Sequence, residues 1–140
     1  MLINLKEILT FAEKENSAIG SFNTPNLESI MAVLNAAEQL QVPVILSHAE
    51  VHESVIPLHI IGPIMVDMAR KATVPVCVHL DHGETIDYLH EALKIGFTSV
   101  MYDGSALSYE DNVSNTQKVT ILAKEFNAGI LGNFGQLPTF

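Results

Sequence analysis

The chain has 140 residues, enough for one domain with its own core, and 48% hydrophobic against 16% charged residues excludes a disordered chain. A formal net charge of −9 argues against nucleic acid or an anionic membrane surface as partner. The single cysteine, Cys77, rules out an internal disulfide and fits a reducing cytoplasm.

The opening, Met1-Leu2-Ile3-Asn4-Leu5-Lys6-Glu7, is too short an apolar stretch for a signal peptide. A first helix is predicted from Leu5 to about Glu15, and Ala18-Ile19-Gly20-Ser21-Phe22 reads as the first strand. Asn26 reads as an N-cap. Leu27, Ile30, Met31, Val33, Leu34, Ala37 and Leu40 then form a helical stripe. Val42-Pro43-Val44-Ile45-Leu46 is the second strand, its proline at the start where a missing N–H is tolerated. The weakly charged stretch from Val55 to Met65 contains Pro57, His59 and Pro63 and is too short and broken to span a bilayer. A longer connection ends in a helix whose clearest part is Ile64 to Ala72. Val76 to Leu80 is the third strand and contains Cys77, which reads as a small buried hydrophobe. A helix follows from about Thr85 to Ile95, with Gly96 as its C-cap. Thr98 to Tyr102 is the fourth strand, Tyr109 to about Phe126 a further helix, and Ile130-Leu131 a last strand candidate.

This alternation predicts right-handed βαβ crossovers and a parallel sheet, in a single domain over 1–140. Two closures fit: a doubly wound sheet of about five strands, or the first portion of a (β/α)8 barrel.

Chemistry concentrates at Leu80-Asp81-His82-Gly83, where a buried strand meets a helix start. The C-terminal ends of parallel strands are where such folds bind ligands. There an Asp supplies a proton carrier and a His a metal ligand. The plainer reading makes Asp81 a helix cap and His82 a loop histidine. His79, two residues back, reads as a core histidine, and His48 and His52 as loop histidines.

Val78-His79-Leu80-Asp81-His82-Gly83 resembles the signature of the class II, metal-dependent ketose-bisphosphate aldolases. Collinear segments extend the likeness from about Leu5 to Leu137. They are Ser21-Phe22-Asn23 with Asn26-Leu27-Glu28, Val42 to Leu46, and Gly96 to Ser105 continuing through Tyr109-Glu110-Asp111-Asn112. The resemblance implies a partial (β/α)8 barrel: about five strands after a leading helix, the N-terminal half of an aldolase barrel. It also implies a reversible cleavage of a ketose phosphate into dihydroxyacetone phosphate and an aldehyde, with zinc as Lewis acid. In that scheme His82 is one of three zinc ligands and Asp81 is the acid/base for the C4 hydroxyl. Asp103 lies at a second cation site, and Asn23 lies near the substrate. Asp81 and His82, adjacent at a strand end, are expected to diverge, one toward metal and one toward substrate.

The chain also departs from the family. Asn133 stands where the family has a cation-holding glutamate, which weakens a second cation site. The family's other two zinc histidines and its phosphate loops have no counterpart. The expectation is a truncated form, inactive alone, that self-associates or pairs with a missing C-terminal half. Other readings are a non-catalytic α/β remnant or interaction fragment, and a metal-dependent barrel hydrolase. The resemblance does not identify the sugar.

Overall fold

Asn4 starts the first element. Its side chain accepts from the Glu7 amide while the Glu7 carboxylate accepts from the Asn4 amide, a reciprocal cap. The helix it opens, α1, spans Leu5–Glu15. The structure, a computed structural model, describes residues 1–133. Beyond α1, strands and helices alternate as β1 (Gly20–Asn23), α2 (Leu27–Leu40), β2 (Val44–Ala49), α3 (Leu58–Lys71), β3 (Val76–Gly83), α4 (Ile86–Ile95), β4 (Ser99–Asp103), α5 (Tyr109–Glu125) and β5 (Gly129–Asn133). A short 3-10 turn, Glu50–His52, follows β2. Asn26 caps α2 by accepting from the Ser29 amide at 2.8 Å, and Gly96 ends α4 with a φ of 114°, where a Cβ is disfavoured.

All five strands are parallel and neighbour one another in chain order, β1-β2-β3-β4-β5. A doubly wound sheet reverses its strand order at a switch point; a sheet wound in one direction is a barrel wall. The strand order therefore selects the partial (β/α)8 barrel. Side-chain alternation gives the wall two faces. Outward, Leu46, Val78, Leu80 and Val100 pack under Leu34, Met65, Leu89 and Val119 of the helices, all in one core. Each such fully buried side chain contributes roughly 1.5–3 kcal/mol. Inward, Ile45 and Cys77 pack against Leu5 and Ile8, so α1 closes the N-terminal end of the wall. Above that plug the interior turns polar: Asn23, Ser47, His79 and Ser99 lie level in register on β1 to β4. Among the described residues no helix is long and apolar enough to cross a membrane.

Cys77 is fully buried, and burial pushes its thiol up to about 12. A thiol reagent is therefore expected to leave the native chain unlabelled and to label it stoichiometrically in denaturant. Labelling in native buffer at the rate of a free thiol would contradict this packing.

Three of the differences from the predicted spans bear on the packing and the site. β2 runs on to Ala49, which places His48 inside a strand, fully buried, rather than in a loop. α3 starts at Leu58 and carries Pro63 within it. Leu58, Ile61 and Gly62 are buried against the core, so packing outweighs the hydrogen bond Pro63 lacks. β3 continues to Gly83, so Asp81 and His82 belong to the strand itself.

Candidate active site at the mouth of the barrel wall

The register of β3 against β4 slips at the mouth. Leu80 pairs with Val100 and Gly83 with Tyr102, so Asp81 and His82 together face the single residue Met101. This is a bulge, and His82 absorbs it with a φ of 49°, in the left-handed region a non-glycine residue enters at a cost of about 1–3 kcal/mol. Gly83 faces the helix layer, where a Cβ would lie 2.6 Å from Leu89 Cδ1. With the extra residue taken up, Asp81 and His82 both reach the inner side. They do not diverge as strand alternation alone predicts.

Four strand-borne side chains converge there. Asn23 Nδ2 donates to Asp81 Oδ2 at 3.0 Å, reaching over β2 where Ala49 stands opposite Asp81. An alanine keeps that path clear. Asp81 Oδ1 lies 3.9 Å from His82 Nε2, and His82 Nδ1 lies 2.5 Å from Asp103 Oδ2. The structure thus brings together Asn23, Asp81, His82 and Asp103. Asp103 also accepts from the Ser105 amide at 3.1 Å, so its turn role and its site role coexist.

Charge fixes the protonation pattern. Partial burial opposes ionisation of Asp103, but hydrogen bonds from Ser105 and His82 outweigh it and hold its pKa at about 2. Asp103 is therefore an acceptor, and His82 Nδ1 carries the proton between them. The hydrogen bond to Asp103 raises the pKa of His82, against a smaller opposing effect of burial. In the neutral ring Nε2 keeps its lone pair, with the ring oriented by a carboxylate as in many histidine metal ligands.

The remaining histidines have other surroundings. His79 is buried, bonds Ser99 Oγ through Nδ1 at 2.8 Å, and is held by burial at about 4. It is a neutral core histidine one level below Asp81. His48 faces the helix layer, with Nε2 3.1 Å from the Tyr88 hydroxyl, which donates to Glu53 at 2.7 Å. Sequence reasoning missed Glu50. Its carboxylate accepts from the Glu84 amide at 2.7 Å and from the Thr85 amide and hydroxyl at 3.3 and 3.2 Å, anchoring the turn behind His82. No local pattern marks a residue acting 34 positions away.

A catalytic zinc takes three protein ligands and an open position. Among the described residues no group of three or more His, Cys, Asp or Glu is arranged to hold a metal ion. One imidazole and two carboxylates line this mouth, which fits one side of such a site and not the whole. Asn133 pairs with Asp103 at the end of β5, and its carbonyl accepts from Asn112 Nδ2 at 2.8 Å. The end of the likeness, from residue 134 to Leu137, lies outside the described residues.

The model of the family described as fructose-bisphosphate aldolase class-II matches residues 3–138. The chain belongs to this class II aldolase family. The 6-phospho-5-dehydro-2-deoxy-D-gluconate aldolase of Halalkalibacterium halodurans is 37% identical over 139 residues, covering 96% of this chain and 48% of that protein. The fructose-bisphosphate aldolase of Thermus caldophilus is 39% identical over 137 residues, covering 98% of this chain and 45% of its own length. The crystal structure of the YdjI aldolase from Escherichia coli superposes with a TM-score of 0.90 at 32% identity, over 96% of this chain and 53% of that one. The chain spans about half the length of the curated relatives it matches. Those two relatives are nearly equally similar to it and are named for different sugar phosphates.

Proposed function

We propose that this chain carries one half of a zinc-dependent aldolase site. That site cleaves a phosphorylated ketose to dihydroxyacetone phosphate and an aldehyde, in the carbohydrate metabolism of a reducing cytoplasm. The observation that carries the reading is the convergence of Asn23, Asp81, His82 and Asp103 on the inner side of the mouth, brought about by the bulge at His82. Asp81 is the acid/base. Its Oδ2 is held by Asn23, leaving Oδ1 to exchange a proton with the substrate hydroxyl beside the scissile bond. His82 offers Nε2 to the metal, and Asp103 keeps that ring in the binding tautomer. When bound, zinc supplies Lewis-acid polarisation of the ketone. Asp103 also stands where a second divalent cation would sit, beside Asn133, whose amide brings no charge.

One imidazole at the mouth cannot hold catalytic zinc by itself. Turnover therefore needs further barrel strands, from more of the same polypeptide or from another chain. The purified 140-residue chain is expected to show no zinc-dependent cleavage of fructose or tagatose bisphosphate. Co-expressed with the unmatched portion of one of the aldolase relatives, it is expected to cleave, and a chelator to stop it. Chelator-sensitive turnover by the chain alone would overturn the half-site reading. A completed barrel without turnover would favour a non-catalytic scaffold, the reading that the uncharged Asn133 supports.

A further inference from the structure

His82 holds a left-handed φ of 49° inside a strand, and such a residue persists only where its surroundings fix it. Asp103 fixes its ring. Its backbone runs straight on through Gly83, Glu84 and Thr85 into α4. Gly83 leaves no room for a side chain beneath Leu89 of α4, so a shift in the first turn of α4 carries over to the bulge.

The group that holds this turn comes from a different loop. Ala49 pairs with Asp81 at the end of β2, so Glu50 leaves the sheet beside the bulge. Its Oε2 accepts from the Glu84 amide at 2.7 Å and from the Thr85 amide at 3.3 Å, while its Oε1 accepts from the Thr85 hydroxyl at 3.2 Å. These amides lie at the start of a helix, where N–H groups lack intrahelical partners and a carboxylate suits them. Glu53, further along the same loop, accepts from the Tyr88 hydroxyl at 2.7 Å and from the Leu58 amide at 2.8 Å. The loop is thus tied to both α4 and α3. Both oxygens of Glu50 are occupied by donors of the turn, which leaves neither for a metal or a substrate proton.

We propose that Glu50 is a positioning residue for His82: through Glu84 and Thr85 it holds the left-handed turn that brings the imidazole to the inner side of the mouth. For the metal this rests on the half-site reading above. The hydrogen bonds of Glu50 lie at the surface, where water replaces them at little cost to the fold. Their loss therefore acts on the direction of the ring more than on stability.

The test reads the imidazole nitrogens of the full chain by NMR at alkaline pH, where the rings are neutral. His82→Gln assigns the His82 signals among the six histidines. The parent is expected to show His82 as the Nδ1–H tautomer, set by Asp103. Glu50→Ala, and Glu50→Asp with its shorter reach, are each expected to move about half or more of His82 to the Nε2–H tautomer. Glu50→Gln keeps an oxygen for the two amides and is expected to retain the parent tautomer. Thr85→Ala removes the side-chain cap of α4 but leaves both amides to Glu50. It is expected to lower the melting temperature at least as far as Glu50→Ala and to leave His82 unchanged. A parent-like His82 in Glu50→Ala and Glu50→Asp would overturn the proposal. So would an equal loss in Glu50→Gln, which would make charge and not contact the cause, or an equal loss in Thr85→Ala, which would reduce Glu50 to a helix cap. In the completed barrel, Glu50→Ala is expected to weaken zinc binding by about tenfold or more. A chain that shows the His82 response but binds no zinc when completed keeps the positioning role and removes the aldolase reading.

Discussion

In the completed barrel, Asp81→Asn is expected to lower kcat by roughly 10²- to 10⁴-fold, the usual worth of a positioned general acid/base. KM is expected to change far less, because the amide keeps the shape of the carboxylate and loses only its basicity. The geometry makes this specific. Asp81 is only 26% exposed at its side chain, and the bulge at His82 aims it inward. Asn23 fixes one of its oxygens at 3.0 Å. Asn23→Ala removes a single hydrogen bond to a charged group and is expected to cost roughly tenfold in kcat. His82→Ala separates from both by its readout, since it is expected to lower bound zinc measured by elemental analysis. A kcat for Asp81→Asn within a few-fold of the parent would remove this residue from the chemistry.

The alternation of elements was readable because each one carries its own local signal. Asn26 and Gly96 mark helix ends through capping and a positive φ, and the β-branched run from Val76 to Val78 marks a buried strand. Strand order was not readable, since both closures use the same βα units and differ only in which edges meet. Asp81, His82, Asp103 and Asn23 were all recognisable from motif resemblance, but their common facing was not. Period-two alternation sends neighbours to opposite sides, and only the register against β4 reveals the extra residue. The start of α3 was hidden because Pro63 speaks locally against a helix that the core stabilises from outside. His48 looked like a loop residue because a polar side chain at a strand's outer face has no local explanation. Its partners Tyr88 and Glu53 come from elsewhere in the chain.

Those two buried imidazoles, His48 and His79, set the acid stability of the fold. Burial holds both near 4, while an unfolded chain releases them to the ordinary 6.5. Between those values the unfolded state binds more protons, so stability rises with pH, and it is lost as pH falls from 6.5 toward 4. The shift corresponds to roughly 3 kcal/mol for each residue, against a total of about 5–15 kcal/mol for a typical domain. The groups around each ring explain why protonation finds little relief. His52 opposes charge on His48 while Glu53 favours it, and His82 opposes charge on His79 while Asp81 favours it. His48 Nδ1 is also buried without a hydrogen-bond partner among the described residues, so its proton would enter the core unpaired. The site pair acts in other ranges. His82, with its raised pKa, contributes stability below 6.5 that is lost as pH rises through the folded value, partly offsetting the acid loss. Asp103 contributes above its ordinary 3.8, and that contribution is lost only as pH falls through about 2. The urea midpoint is therefore expected to drop steeply between pH 7 and 4.5. His48→Gln and His79→Gln, neither able to bind a proton, are each expected to flatten about half of that slope. A midpoint constant across this range would contradict the lowered pKa values of these two rings in the native state.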